Sequence, residues 1–108
     1  MARLAVSRGS GNVFADLGIP DSDGHKIKAG LVRKLADVIA ERGLTQTAAA
    51  QLTGISQPDL SRVLRGRFRD FSSDRLMRAL ANLDSEVEIR VRHDGHDVGE
   101  PIRVHAHG

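Results

Sequence analysis

The sequence predicts a mainly α-helical domain of five helices, followed by a β-strand that can return as a hairpin. Apolar residues recur at helical spacing through most of the chain, and they alternate strictly with charged residues only near the C-terminal end. The 108 residues include three Phe but no Trp or Tyr, so aliphatic side chains must form the core. This length, with 40% hydrophobic and 28% charged residues, is typical of one compact folded domain.

Three parts of the chain differ in their pattern. Residues 1–11 have no periodicity and are predicted to be a flexible N-terminal arm. Residues 12–84 carry the helical pattern, which begins with a short helical turn from Asn12 to Gly18. Residues 85–108 contain the predicted strand and a tail, and we consider this part a candidate dimerisation element.

Two longer helices are predicted in this domain, one near its beginning and one near its end. The first runs from about His25 to Arg42 and ends at Gly43. Its apolar stripe consists of Ile27, Leu31, Leu35, Val38 and Ile39. The last helix follows Ser72 or Ser73 as its N-cap. We expect it to bury Leu76, Met77, Leu80 and Leu83 and to direct outward Arg75, Arg78 and Asn82.

Two short helices are predicted between the longer ones. Thr45 is the predicted N-cap of a helix that ends before Gly54. Ser56 is the predicted N-cap of the next helix, and Asp59, three residues later, resembles the second member of a capping box. The loop after this helix contains two Phe residues that we expect to enter the core.

These two short helices meet the requirements of a helix-turn-helix from Gln46 to Leu64. Helices that cross steeply need a small residue at the crossing and a residue that tolerates positive φ in the turn. Ala50 and Gly54 meet these two demands. The second helix must also return apolar side chains to the core. We assign that role to Leu60 and Val63, and we expect Ile55 to fill the space under the turn.

Strict alternation from Glu86 to Arg92 predicts a strand whose apolar face consists of Val87, Ile89 and Val91. Asp94-Gly95 is a turn signal, and Ile102 to His105 is a weaker second strand. The edge of such a strand can pair with its twofold mate in a dimer. An equally good interpretation is that the strand only covers its own core.

The residue inventory argues against catalysis and against bound cofactors. The absence of Cys excludes disulfides, thiol catalysis and Cys-ligated metals, and no nucleophile elbow or phosphate-binding Gly loop is present. His93 with His96 and His105 with His107 have spacings compatible with a metal, but they fall on a turn and a chain end. We therefore expect no enzyme and no metal site. The lack of a membrane-length apolar stretch or signal peptide favours the cytoplasm.

Positive charge is concentrated beside the second short helix, although the net charge of the chain is only +2. Residues 62–78 include six arginines and two aspartates. Alone, such a run would be interpreted as a solvated surface, but next to a helix-turn-helix it favours contact with DNA phosphates. Single-strand binding usually needs aromatic stacking platforms, so the scarcity of aromatics favours duplex DNA.

The segment Leu44–Gly66, with its Leu-Thr-Gln start, Gly-Ile-Ser-Gln turn and Ser-Arg pair, resembles the Cro and CI repressors of the XRE-type helix-turn-helix family. This resemblance implies a lambda-repressor-like fold and a sequence-specific repressor that binds double-stranded DNA. The flanking segments Asn12–Gly18 and Arg65–Ser72 resemble a branch that contains HigA-type antitoxins. That branch implies an autoregulating antitoxin paired with a RelE-like or HigB-like ribonuclease toxin. The alternatives are a free-standing repressor and a protein-interaction module that has lost DNA binding.

In this family the helix that begins at Gln57 enters the major groove. The resemblance implies that the residues facing base edges are Gln57, Pro58, Ser61 and Arg62. It implies that phosphates are contacted by Thr45, Gln46, Thr47, Arg65, Arg67 and Arg69. Asp59 would repel phosphate, and we assign it to helix capping. One recognition helix offers too little surface for tight specific binding, so we expect a homodimer on a palindromic operator.

Overall fold

The computed structural model describes residues 22–106 and contains four helices and four short strands there. The helices are α1 Ser22–Glu41, α2 Gln46–Thr53, α3 Gln57–Leu64 and α4 Ser73–Asn82. The strands are β1 Val87–Ile89, β2 Arg92–His93, β3 His96–Asp97 and β4 Ile102–Val104. The mainly helical fold with a C-terminal hairpin is confirmed, and residues 22–106 contain four helices where five were predicted for the whole chain. The predicted arm and the turn from Asn12 to Gly18 lie outside the described residues.

Three of the helices begin at the hydroxyl side chains that the sequence predicts as N-caps. The side-chain oxygens of Thr45, Ser56 and Ser72 each accept a hydrogen bond from the backbone N–H three residues later, at 3.0, 3.3 and 3.0 Å respectively. Each cap satisfies one of the N–H groups that the first turn of a helix leaves without a helical partner. The structure therefore selects Ser72 over Ser73 as the cap of α4.

An aliphatic core holds the helices together. The most extensive helix contact joins α1 to α4, and α3 packs against both α1 and α2. The most deeply buried large side chains are Leu35, Leu60, Val63, Leu76 and Leu83. The two Phe residues of the loop between α3 and α4 are also buried, as predicted. None of the helices between residues 22 and 106 has the length and apolar character needed to cross a membrane.

Ile27 departs from the apolar stripe predicted for α1. This residue is 59% exposed, and Val32 is buried instead. One turn before Val32 on the same face is Lys28, whose Nζ donates to the backbone carbonyl of Arg69 at 3.1 Å. The start of α1 therefore covers the loop between α3 and α4 with a polar contact, which apolar spacing alone does not reveal.

The outward orientation predicted for Asn82 is wrong. Its Nδ2 donates to the backbone carbonyl of Thr53 at 3.1 Å, and Thr53 is buried. This bond joins the end of α4 to the end of α2, where the last carbonyls of a helix lack helical partners. Met77 is only half-buried, so the large buried side chains of α4 and the residue after it are Leu76, Leu80 and Leu83, and Ala79 and Ala81 are buried as well.

The C-terminal segment forms an antiparallel hairpin in two short ladders. β1 pairs with β4, with Val87 opposite Val104, and β2 pairs with β3 further along the hairpin. Asp94 and Gly95 have φ angles of 51° and 79°, the left-handed pair that a two-residue type I′ turn requires. The predicted turn and returning strand are confirmed, whereas the strand predicted from Glu86 to Arg92 is divided between β1 and β2.

The apolar face of this hairpin is only partly covered. Val87 is half-buried against the helical core. Ile89 and its cross-strand partner Ile102 are 39% and 60% exposed, and Val91 is 54% exposed. Val87 therefore covers the core of its own chain, whereas Ile89 and Val91 are open to solvent.

Candidate nucleic-acid interface

The turn between α2 and α3 fixes how the two helices meet. Gly54 has φ of 79°, and its N–H donates to the Ala50 carbonyl at 3.0 Å, which ends α2. Ile55 is buried beneath the turn. The fully buried small residue of α2 is Ala49, while Ala50 is half-buried against the core. Close packing of α2 therefore involves both alanines, with Ala49 the deeper.

α3 has one face in the core and one face open to solvent. Leu60 and Val63 are completely buried, which directs the opposite side of the helix away from the domain. The four residues predicted to face base edges lie on the accessible part: Gln57 and Pro58 are exposed, and Ser61 and Arg62 are half-buried. An α-helix with its side chains is about 10 to 12 Å across, so α3 can enter a major groove that is about 12 Å wide.

The residues predicted to contact phosphate form two groups on either side of α3. Thr45, Gln46 and Thr47 are exposed at the start of α2. The Thr45 hydroxyl oxygen accepts from the helix, which leaves its proton free to donate outward. Beyond the end of α3, the second group is also exposed and consists of Arg65, Arg67 and Arg69. Within residues 22–106 none of these three guanidinium groups forms a salt bridge.

Arg62 differs from those arginines because it is paired with an acid on its own helix. Its Nη2 donates to Asp59 Oδ1 at 3.0 Å, and the two side chains are 41% and 40% exposed. This hydrogen bond, together with one from the Ser56 side chain, holds the pKa of the Asp59 carboxyl below its ordinary value of 3.8. Asp59 thus has two roles: its backbone N–H completes the cap at Ser56, and its carboxylate binds Arg62.

Arg75 belongs to the arginine-rich segment 62–78 but is not one of the residues individually predicted to contact phosphate. Its guanidinium lies 4.4 Å from the centre of the Phe71 ring, and its charge also lowers the pKa of Asp59. The charge of Arg75, in the first turn of α4, therefore acts on the carboxylate that pairs with Arg62. Phe71 precedes the N-cap Ser72, so helical spacing gives no sequence signal for its contact with Arg75.

No metal site emerges from the described part of the chain. Between residues 22 and 106, no group of three His, Cys, Asp or Glu side chains is close enough to hold a metal ion. His93 and His96 face each other across the β2–β3 ladder, on an exposed surface. His107, the other half of the second predicted pair, lies outside the described residues.

Comparisons with known proteins agree with this geometry. The family model of the helix-turn-helix domain matches residues 13–92. A solved structure named as a proposed XRE-family transcriptional regulator is similar with a TM-score of 0.66 and 39% sequence identity. The similarity covers 69% of this chain and 84% of that one. A comparison with curated proteins finds no match.

The contact between Asp59 and Arg62 predicts how this carboxyl titrates. Because the folded-state pKa is lowered, the pair stabilises the fold above the ordinary aspartate pKa, and this contribution is lost as the pH falls through the folded-state pKa. Arg62→Ala should move the Asp59 pKa back toward 3.8, measured by NMR of the carboxyl carbon. Arg65→Ala is the control and should leave it lowered. An identical titration with and without Arg62 would contradict the assigned contact.

Proposed function

Since the chain belongs to the XRE-type helix-turn-helix family of transcriptional regulators, we propose that it is a repressor that reads double-stranded DNA in a sequence-specific manner through α3. The observation that carries this proposal is the composition of the accessible face of α3. That face presents Gln57, Ser61 and Arg62, and exposed arginines without salt bridges to described residues follow the helix. A module that had lost DNA binding would be expected to present an apolar or mostly acidic face there.

The proposed roles follow from the chemistry of each side chain. The nitrogen of the Gln57 amide can donate to N7 of adenine while its oxygen accepts from the N6 amino group, and such a bidentate contact distinguishes adenine from other bases. Pro58 offers an apolar contact to a thymine methyl group, and Ser61 offers a hydroxyl. Arg65, Arg67 and Arg69 require only charge to bind phosphate, whereas the uncharged polar groups at the start of α2 would bind it through hydrogen bonds.

We also propose that the protein is a homodimer on a palindromic operator, joined through the C-terminal hairpin. The support is the apolar face that the helical core leaves uncovered, which includes Ile89 and Val91. Val98, between β3 and β4, and Ile102, on β4, are also 56% and 60% exposed. A twofold pair of such faces or edges would bury these side chains and bring two α3 helices to one DNA site.

For the biological role we propose an autoregulating antitoxin with a small RelE-like or HigB-like ribonuclease toxin as partner. Its support is the resemblance of Asn12–Gly18 and Arg65–Ser72 to HigA-type antitoxins. Coexpression with the product of the neighbouring gene should yield a copurifying complex in which growth inhibition by that product is neutralised. A neighbour that neither binds nor is neutralised would favour the free-standing repressor.

Base-reading and phosphate-binding residues should respond differently to substitution. In mobility shifts with DNA upstream of its own gene, Gln57→Ala should lose about 1 to 3 kcal/mol of discrimination against a changed base pair. Arg67→Ala should weaken binding to all duplexes alike and reduce the slope of log K against log salt by about 0.9. Gln51→Ala, an exposed glutamine of α2 outside the predicted contacts, is the control. Unchanged specificity in the Gln57 variant would contradict the base-reading role.

The dimer contact should depend on the exposed apolar residues rather than on Val87, which packs on its own core. The double substitution Ile89→Asp and Ile102→Asp should convert dimers to monomers in light scattering, because it places charge in a surface that must lose its water. Arg103→Gln, on the opposite face of the same ladder, should leave the mass unchanged. A wild-type monomer, or a double variant that keeps the dimer mass, would exclude this joint.

A further inference from the structure

The recognition face of α3 contains a carboxylate at a place where DNA would bring phosphates. Asp59 lies two residues after Gln57, and its side chain is 40% exposed. A negative charge there weakens attraction to DNA. The oxygen that accepts the N–H group in the cap of α3 belongs to Ser56. The Asp59 carboxylate interacts with the Ser56 side chain, but its first partner is Arg62.

The carboxylate holds the guanidinium of Arg62. The two residues lie three positions apart on α3, and the distance between Arg62 Nη2 and Asp59 Oδ1 is 3.0 Å. Arg62 has five N–H groups, and among the described residues this is the only hydrogen bond shown for its side chain. Guanine offers two acceptors, O6 and N7, on one edge of the major groove, and a correctly oriented guanidinium satisfies both.

We propose that Asp59 is a positioning residue that orients Arg62 for guanine and keeps Arg62 from binding phosphate. This inference rests on the proposed function of α3 as the DNA-reading helix. An unpaired arginine loses side-chain freedom when it binds, whereas one held in place beforehand loses less. An orienting carboxylate therefore makes the contact with the correct base stronger relative to the other contacts that Arg62 could make.

The charges explain why the pair favours specificity over general affinity. Carboxylate and guanidinium together carry no net charge, so Arg62 gains less from a phosphate than a free arginine does. Arg65, Arg67 and Arg69 form no salt bridge to any residue between 22 and 106 and keep their full attraction for phosphate. Among the four arginines between residues 57 and 70, one thus has an acidic partner and three do not.

A matched control for Asp59 exists on the neighbouring helix. Asp74 also lies in the first turn of its helix, and its Oδ2 accepts from Arg78 Nε at 3.0 Å. Arg78 Nη1 lies 3.4 Å from the His105 carbonyl, which directs this pair toward the C-terminal segment. Asp74→Asn therefore removes a first-turn carboxylate and an ion pair without touching α3.

The experiment compares full-length wild type, Asp59→Asn, Asp74→Asn and Arg62→Ala. A preferred duplex is first selected by the wild type from a randomised pool, and affinities for it and for all single base-pair changes are then measured at several salt concentrations. Asp59→Asn should reduce the preference for guanine at one position about 10-fold. Its affinity for unrelated duplexes should stay the same or rise, with a steeper salt dependence. Asp74→Asn should match the wild type in both respects.

Arg62→Ala should relax the same base position, and the double variant Asp59→Asn with Arg62→Ala should lose no further preference there. Two results would overturn the inference: an Asp59→Asn variant with the wild-type preference at every position, or one that loses affinity equally for all duplexes along with a lower unfolding temperature. A wild type without sequence preference would instead overturn the proposed function itself.

Discussion

The burial of one face of α3 by Leu60 and Val63 is the contact on which the candidate interface depends. Both side chains are completely buried, and each contributes about 1.5 to 3 kcal/mol through the removal of apolar surface from water. A rotation of α3 would expose them, so its orientation is fixed by the core. Gln57 and Arg62 are accessible on the other side as a direct consequence. The close packing of Ala49 and the left-handed turn at Gly54 then fix the angle at which α2 meets this helix.

The loop after α3 combines burial with exposure in alternate residues. Phe68 is buried, and the arginines on either side of it are exposed. The His25 ring stacks on Phe68 with 4.9 Å between ring centres, and Lys28 donates to the Arg69 carbonyl at 3.1 Å. Two residues at the start of α1 therefore anchor a loop that is distant in sequence. The exposed cations of this loop extend from a backbone that the core holds in place, which favours a defined contact with DNA phosphates.

Features determined by neighbouring residues could be predicted from the sequence, whereas contacts between distant elements could not. The caps at Thr45 and Ser56 and the type I′ turn at Asp94 involve residues within three positions of each other. The bond from Asn82 to the Thr53 carbonyl depends on how α4 packs on α2, and no local pattern indicates it. The pair of Asp59 and Arg62 is an intermediate case. Its spacing is visible in the sequence, but an acid in a first helical turn has an equally good explanation as a helix cap.

α4 separates the two surfaces that we propose for DNA and for a second chain. Its first turn carries Arg75, whose charge acts on Asp59 of α3, while the helix also contacts β1 and β4. Ten residues of helix extend for about 15 Å. The charged face of the hairpin is neutralised by its own pairs, such as Arg90 with Asp97 at 2.9 Å, so it offers DNA little attraction. The apolar face and the recognition face therefore use different residues, and a domain of this size can use both at the same time.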